Sequence, residues 1–171
     1  MASFAGRALA RRRHSSRATL LALARMSRMC IMRAGTHDAA AVAEFLARQD
    51  VRPAPNNADV ATFVRRAGAT VWCALRDGRI DGVAACITDG SVLRVAYFAL
   101  APEREDLLTG ALMPMLERSA HDAGAAVLAA QSAMGSQTHR CLARCGFSVE
   151  WEEGDAGAGT TIAIVELVKA L

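Results

Sequence analysis

The stretch TVWCALRDGRIDGVAACITDGSVLRVAYFAL, residues 70–100, decides the fold class of this chain. It holds three runs rich in apolar and β-branched residues, at 70–76, 80–88 and 91–100, which predict three strands. The pairs Asp77-Gly78 and Asp89-Gly90 separate these runs, and Asp-Gly is typical of tight hairpin turns. Strands joined by tight turns are antiparallel neighbours, so this stretch predicts a three-stranded meander.

The residues on both sides of the meander alternate between helical and strand patterns. Upstream, a strand at 30–34 precedes two helices, one starting near Ala39 and one at 58–67. Downstream, the pattern predicts a helix at 107–123, a strand at 125–130, a helix at 136–145, and strands at 147–152 and 160–168 around a glycine-rich loop. This order predicts a mixed α/β fold of the α+β type, with a central sheet of about six to seven strands flanked by about four helices.

Local signals mark where the helices begin and end. Thr36 or Asp38 can accept hydrogen bonds from the free amides of the first helix, and Asn57 is placed to cap the second. The third helix contains Pro114, which is unfavourable in a helix interior. Either that helix bends at Pro114, or it begins near Gly110 and the proline lies close to its first turn.

The first 28 residues differ in charge from the rest of the chain. Every acidic residue lies at or after Asp38, whereas eight arginines precede it. Residues 34–171 hold the other 12 basic residues and all 17 acidic ones, a net charge of −5, although the whole chain carries +3. We therefore predict a basic N-terminal extension, 1–28, that is disordered, and a folded domain, 29–171.

Three interpretations of the extension stay open. It is rich in Arg, contains Ser and lacks acidic residues, as mitochondrial transit peptides do. It can also be a basic arm for nucleic acid or anionic lipid, or upstream sequence ahead of a start at Met26, Met29 or Met32. We expect a cytoplasmic protein, with a mitochondrial location as the alternative if 1–28 is a transit peptide.

Composition argues against several classes of function for the domain. No apolar run approaches the roughly 18–20 residues that cross a bilayer, and no basic stripe with interleaved aromatic residues is present, so neither a membrane nor a nucleic-acid partner is expected. Five cysteines without paired spacing are typical of reduced, intracellular thiols. Cys141 and Cys145 are four residues apart, but a fourth ligand of suitable spacing is absent, so no metal is predicted.

Three segments, taken in order, resemble a known family. MRAGTHDAAAVAEFL, residues 32–46, is similar to an opening strand and helix that usually reads Ile-Arg-x-Ala-x-x-x-Asp-Ala. LAPEREDLLTGALMPMLERSAHDAGA, residues 100–125, looks like a strand, cofactor loop and helix, and THRCLARCGF, residues 138–147, is close to Ala-x-x-x-Tyr-x-x-x-Gly-Phe. Together with the element order over residues 30–171, these segments resemble the GNAT superfamily of N-acetyltransferases.

The resemblance implies acetyl-CoA as a co-substrate, held by a loop whose amides face the pyrophosphate. The family pattern for this loop is Gln/Arg-x-x-Gly-x-Gly/Ala. Here Glu105 stands at the Arg, Asp106 and Leu108 stand at glycines, and only Gly110 keeps a glycine. Two carboxylates repel a pyrophosphate, which predicts weakened binding, and the alternative is that they stabilise a structural helix through its dipole.

The resemblance also implies which residues form the cofactor site. The cofactor-binding residues predicted in this way are Phe98, Ala99, Leu100, Asp106, Leu107, Leu108, Thr109, Gly110 and Ser136. The strand 91–100 faces the acceptor in the family, so Arg94, with Asp89 at the strand's entrance, is predicted to bind substrate.

A proton donor for the departing thiolate is the other requirement of this chemistry. The tyrosine that serves in the family falls on Leu142, which cannot donate a proton. The predicted catalytic residues are therefore His139 and Cys141 on the same helix and Tyr97, the only tyrosine of the chain. Each has a structural alternative: a solvated surface histidine, a packed cysteine and a core aromatic.

Two functions compete. The leading hypothesis is an N-acetyltransferase that transfers an acetyl group by direct attack in a ternary complex to a small-molecule amine or a protein amino group, with a homodimer as an open alternative. The second is a catalytically inactive domain of the same fold used for protein interaction or small-ligand sensing, which the loss of the glycines and the tyrosine favours. A nucleic-acid binder that works through 1–28 is the third.

Overall fold

Seven strands form one sheet in the computed structural model, which describes residues 29–49, 51, 54–153 and 164–171. The strands are Met29–Arg33 (β1), Ala69–Arg76 (β2), Arg79–Asp89 (β3), Val92–Leu100 (β4), Val127–Ala133 (β5), Ser148–Glu153 (β6) and Ile164–Ala170 (β7). Their order across the sheet is β1-β2-β3-β4-β5-β7-β6. Strands β2, β3 and β4 form the predicted antiparallel meander, β5, β7 and β6 are also antiparallel, and β4 and β5 are parallel to each other.

Four α-helices cover the sheet in the part of the chain that is described: Ala39–Arg48 (α1), Asn57–Arg65 (α2), Glu105–Asp122 (α3) and Gln137–Arg144 (α4). Helices α1 and α2 pack on one face, and α3 and α4 pack on the other. The prediction of a mixed fold with six to seven strands and about four helices is confirmed. None of these helices is both long and apolar enough to cross a bilayer.

The core beneath α1 and α2 follows the helical periodicity of the sequence. Val42, Phe45 and Leu46, spaced three and one apart, are all buried, and Val60 of α2 joins them. They pack against inward-facing residues of the sheet: Val71, Cys73, Val83, Ala85 and Ala99. Because these strand residues alternate along each strand, they lie on one face of the meander, and α1 and α2 cover that face.

The opposite face packs closely against α3. Leu108, Leu112 and Leu116 of that helix are fully buried, as their four-residue spacing predicts. A Cβ added to Gly82 would lie 3.0 Å from Leu112 Cδ1 and 3.3 Å from Leu100 Cδ2. Gly82 therefore allows a closer approach of the helix to β3 than any larger residue would.

The hairpin at Asp77-Gly78 has the predicted turn. The predicted caps at Asp38 and Asn57 are wrong. Asp77 and Gly78 both have positive φ angles, 50° and 77°, as a type I′ turn requires. The cap of α2 is Asn56 and not Asn57, because Asn56 Oδ1 accepts from the Asp59 amide at 3.0 Å. The Asp38 carboxylate bonds back to the Gly35 amide at 2.8 Å, so it does not cap the amides of α1.

Helix α3 begins at Glu105, so Pro114 lies in its interior. The alternative start near Gly110 is therefore wrong. The glycine-rich loop predicted between the last two strands lies outside the described residues, as do residues 1–28. The predicted division at residue 28 accordingly stays a prediction.

Candidate active site

Strands β4 and β5 separate partway along their length. They pair only over Val92–Val95 and 127–130, with Val95 opposite Ala130 as the last pair. Beyond that point β4 continues along β3 and β5 continues along β7, so their facing edges diverge. We call the space between residues 96–100 and residues 131–133 the wedge.

A β-bulge on β4 lies where the wedge begins. Ala85 pairs with Tyr97 and Cys86 pairs with Val95, so Ala96 is an extra residue with no partner on β3. A bulge bends its strand and increases the local twist, which turns β4 away from β5 at this point. Backbone groups of β4 beyond Val95 are thereby not paired with β5, and Thr138 Oγ1 donates to one of them, the Phe98 carbonyl, at 2.9 Å.

An open cleft of about 390 Å³ lies on the α1–α2 face beside the wedge. Tyr97, two residues beyond the last β4–β5 pair, lies at its sheet side. The Phe63 and Tyr97 rings meet edge to face, with their centroids 6.1 Å apart. The remaining lining residues come from α2 and the segments before and after it: Ala54, Pro55, Asp59, Thr62 and Arg66.

Charges in this cleft act on the Tyr97 hydroxyl. Burial is the main reason that the pKa of Tyr97 is raised above its usual 10.0, and the Asp59 charge adds to the effect. The Arg66 guanidinium acts in the opposite direction. Tyr97 therefore keeps its proton throughout the neutral range, and both charged groups lie near enough to influence it.

On the other face, a set of polar contacts joins the N-terminus of α3 to α4. Glu105 accepts from Gln137 Nε2 at 3.0 Å and is ion-paired with the Arg144 guanidinium. A second contact places Arg144 Nη1 3.4 Å from Asp106 Oδ1. We call these four residues, Glu105, Asp106, Gln137 and Arg144, the α3–α4 clasp.

The clasp fixes the ionisation of Glu105. The hydrogen bond from Gln137 is the largest cause of its lowered pKa, with further contributions from the Cys141 thiol and the Arg144 charge. The two carboxylates predicted to repel a pyrophosphate are thus both beside the same arginine. At neutral pH the clasp carries a net charge of −1, because one guanidinium faces two carboxylates.

Cys141 lies fully buried beneath the clasp. Burial is the main cause of its raised pKa, about 11, and the neighbouring Glu105 carboxylate raises it further. Arg144 Nη2 lies 3.8 Å from its sulfur. The hydroxyl of Thr109 makes no hydrogen bond of normal geometry within the described residues, although it lies near enough to lower the Cys141 pKa slightly. The Cys141 thiol is therefore protonated and shielded from solvent at neutral pH.

His139 and Ser136 lie in the first turn of α4. Ser136 is the helix cap, because its hydroxyl accepts from the His139 amide at 3.1 Å, and it lies 2.8 Å from the Ser132 hydroxyl. The His139 Nδ1 accepts from the Gly135 amide at 3.3 Å. Position 142, where the family tyrosine would stand, is a fully buried leucine.

The predicted cofactor residues fall into two groups that the fold brings to one end of the sheet. Phe98, Ala99 and Leu100 form the buried β4 side of the wedge, and the residues from Asp106 to Gly110 form the first two turns of α3. Gly110 is exposed, and a Cβ added to it would meet no atom within 4 Å. No contact among the described residues therefore requires a glycine at position 110.

The two predicted substrate residues lie elsewhere. Arg94 contacts Asp89 at 3.5 Å and Glu166 of β7 at 3.1 Å, across the small side chain of Ala129 on β5. Arg94 lies in the paired part of β4, about 10 Å along the strand from Tyr97, whereas Glu166 is opposite Gln131, one residue past the last β4–β5 pair. The structure thus brings Tyr97 together with the cleft and separates Arg94 and Asp89 from it.

Sequence reasoning missed several residues that the fold assembles. Asp59, Thr62 and Arg66 line the cleft, and Gln137 and Arg144 complete the clasp. One feature of the sequence could have indicated the cleft: Asp59 and Arg66 are seven residues apart, which places both on one face of α2. In the described residues, no group of three or more His, Cys, Asp or Glu side chains is arranged to hold a metal ion.

Several solved structures resemble this chain in fold and are very distant from it in sequence. The GNAT-family acetyltransferase of Streptococcus pneumoniae is 15% identical with a TM-score of 0.69, and the comparison covers 84% of this chain and 99% of that one. The Salmonella typhimurium protein yncA, solved with its cofactor acetyl-CoA, is 18% identical with a TM-score of 0.69 over 84% and 94% of the two chains.

A third neighbour is the ribosomal-protein-S18-alanine N-acetyltransferase of Escherichia coli, 14% identical with a TM-score of 0.70 over 83% of this chain and 93% of that one. No protein-family model matches the sequence, and no curated protein sequence is similar to it. The chain has the GNAT fold, which confirms the fold that the sequence segments predicted.

Proposed function

We propose that this protein is an N-acyltransferase that takes an acetyl group from acetyl-CoA and transfers it to an amine. The observation that carries the proposal is the wedge at Val95 and Ala130, which opens the centre of the sheet between the cleft on one face and the N-termini of α3 and α4 on the other. The fold supports it, because its structural neighbours include acetyltransferases and one of them was solved with acetyl-CoA.

The residues of the wedge fit the pantetheine arm of such a cofactor. Among residues 29–49, 51, 54–153 and 164–171, no strand pairs with the β4 edge beyond Val95 on its β5 side, so its backbone groups are available to an extended, amide-bearing chain. Thr138 bonds to one of these groups, the Phe98 carbonyl, and that hydroxyl would rotate away or share the acceptor. Bound here, acetyl-CoA supplies the thioester whose acetyl group is transferred.

The N-terminus of α3 fits a diphosphate if Arg144 leaves its ion pairs with Glu105 and Asp106. The amides at the start of α3 and the positive end of its dipole favour an anion, and Gly110 leaves open space on the second turn. The clasp holds Arg144 against Glu105 and Asp106, so a diphosphate competes with these carboxylates for the guanidinium. We infer that Arg144 transfers to the diphosphate, because Arg pairs with phosphate as readily as with carboxylate.

Tyr97 is the proton donor that we assign to the reaction. It lies at the boundary between wedge and cleft, whereas Cys141 is fully buried on the opposite face. Its raised pKa keeps the hydroxyl protonated at neutral pH, which a general acid requires. Leu142 cannot serve, and His139 lies on the α4 side with Nδ1 already bonded to the Gly135 amide.

Calorimetry with acetyl-CoA and CoA tests the proposal directly. We expect binding of both, and CoA release when an amine is supplied. No binding at millimolar ligand to folded protein would remove the acyltransferase and leave the fold untouched. The inactive-domain alternative predicts that result, since a clasp that stays closed would block the diphosphate.

A further inference from the structure

The cleft beside Tyr97 presents two opposite charges on one helix face. Asp59 lies in the first turn of α2 and Arg66 directly follows its last residue. Seven residues correspond to about two turns, or roughly 10 Å along the axis, and return both side chains to the same face. Both residues line the cleft, and both act on the Tyr97 hydroxyl with opposite sign.

These two charges do not neutralise each other. Within the described residues neither forms an ion pair with the other or with a third residue at 4.0 Å or less. One oxygen of Asp59, Oδ2, accepts from the Asn56 amide at 3.0 Å, so the other is left for a ligand. The Arg66 guanidinium makes no hydrogen bond in the part of the chain that is described, and both residues are exposed to the cleft.

Between the charges the cleft is aromatic and weakly polar. Phe63 and Tyr97 provide ring surface, and Thr62 adds a hydroxyl. A volume of about 390 Å³ is at the small end of the range for small-molecule sites, which suits a compact ligand better than a folded protein surface. A ligand matched to this lining has a cation, an anion and a short hydrocarbon part.

We propose that the acceptor is a compound of the amino-acid class, with its amine and a carboxylate on the same small molecule. Arg66 binds the carboxylate, for which the guanidinium fork has the right geometry, and Asp59 attracts the amine in its ammonium form to the cleft. The ammonium gives up one proton to the solvent of the open cleft before its nitrogen attacks the thioester carbonyl, and Tyr97 supplies the proton that the departing CoA thiolate takes up. The hydrocarbon part lies on Phe63 and Tyr97. This inference rests on the proposed function, because it names the acceptor of the same site.

The test compares matched acceptors that differ only in the carboxylate. 5-Aminopentanoate is paired with butylamine, and 6-aminohexanoate is paired with pentylamine, at fixed acetyl-CoA with release of the CoA thiol as the readout, because their amine and carboxylate lie at opposite ends of a hydrocarbon chain as Asp59 and Arg66 lie at opposite ends of α2. A charge-assisted contact to the carboxylate is expected to give a preference of about tenfold to a hundredfold in kcat/KM for the amino acid.

Two variants and one control assign that preference to the cleft. Arg66→Gln should remove that preference, so that the ratio of kcat/KM between each amino acid and its decarboxylated amine falls about tenfold or more. Asp59→Asn keeps an oxygen for the Asn56 amide and should raise KM for both members of each pair. Arg65→Gln changes the exposed neighbour that does not line the cleft and should alter neither.

The outcomes separate the two proposals. If decarboxylated amines are acetylated as well as amino acids, or if Arg66→Gln leaves the preference intact, the amino-acid acceptor is wrong and the acyltransferase stands. If acetyl-CoA binds by calorimetry but no member of either pair is acetylated or binds to the complex, the amino-acid acceptor is again wrong. If neither acetyl-CoA nor CoA binds, the proposed function itself fails.

Discussion

Gly110→Ala should make the protein more stable and at the same time weaken its binding of CoA. Gly110 lies inside α3, where glycine costs about 0.8–1.0 kcal/mol relative to alanine. The added methyl group would meet no atom of the described residues within 4 Å, so no steric penalty from them offsets the gain. For a chain of this length that corresponds to a rise in Tm of about 2–4 °C.

The same methyl group is expected to intrude on a bound diphosphate. Overpacking a close contact typically costs about 1–3 kcal/mol, which corresponds to a rise in Kd of about 5- to 150-fold. Differential scanning fluorimetry of the free protein measures the first effect, and titration calorimetry with CoA measures the second. Arg118→Ala, at an exposed position of α3 about 12 Å along the helix, is the control and should leave Kd unchanged.

The two effects can fail separately. A raised Tm with an unchanged Kd would show that no ligand approaches the second turn of α3, and the diphosphate site as described would be wrong. An unchanged or lowered Tm would contradict the open space around Gly110, because a helical Gly→Ala change without steric conflict has to stabilise.

Three other substitutions test the clasp, the proton donor and the interior of α3. Glu105→Gln should lower Tm by a few degrees at pH 7 and bind CoA more tightly. Since the folded-state pKa of Glu105 is below its usual 4.5, its stabilisation is present above about pH 4.5 and is lost as the pH falls further, so the melts of the two proteins should converge at acidic pH below 4.5. Tyr97→Phe keeps the ring contact with Phe63 and should lower kcat about 10²- to 10⁴-fold with Tm unchanged, and an unaltered kcat would exclude Tyr97 as the acid. Pro114→Ala should raise Tm by several degrees in thermal melts, because the exposed proline cannot donate to the carbonyl four residues earlier; a lower Tm would mean that the proline is required where it stands.

The fold could be predicted because its signals are local. The Asp-Gly pair of the first hairpin is a short-range signal of turn geometry, and the apolar spacing of Val42, Phe45 and Leu46 identifies the buried face of α1 without knowledge of the sheet. The errors are of the same local kind. Asn56 and Asn57 are adjacent and equally good caps by type, and only the backbone conformation decides which one bonds to the Asp59 amide.

The candidate site was less accessible because its contacts are distant in sequence. Arg144 meets Glu105 across 39 residues, and its basic side chain at the end of α4 looks like an ordinary interaction with the helix dipole. Asp59 and Arg66 look like the solvated face of α2 until the bulge at Ala96 places Tyr97 opposite them. The cleft forms beside the point where β4 and β5 diverge, and the apolar periodicity of neither strand indicates that point.

The wedge shortens the pairing of β4 with β5, whereas the ion pairs of Arg94 connect β4 to the other half of the sheet. A ladder limited to the stretch ending at Val95 and Ala130 leaves room for a ligand but joins the two halves of the sheet weakly. Arg94, in the paired part of β4, contacts Glu166 of β7, which is opposite Gln131, so this ion pair links β4 to β7 diagonally across β5 where the wedge begins. Asp89, Arg94 and Glu166 form a connected set of ion pairs, the arrangement in which surface ion pairs contribute most to stability, and the prediction that Asp89 and Arg94 bind substrate stays a prediction. On this account, removing the Arg94 side chain would loosen the junction from which the wedge opens, and its effect on CoA binding would be indirect and would appear together with a lowered Tm.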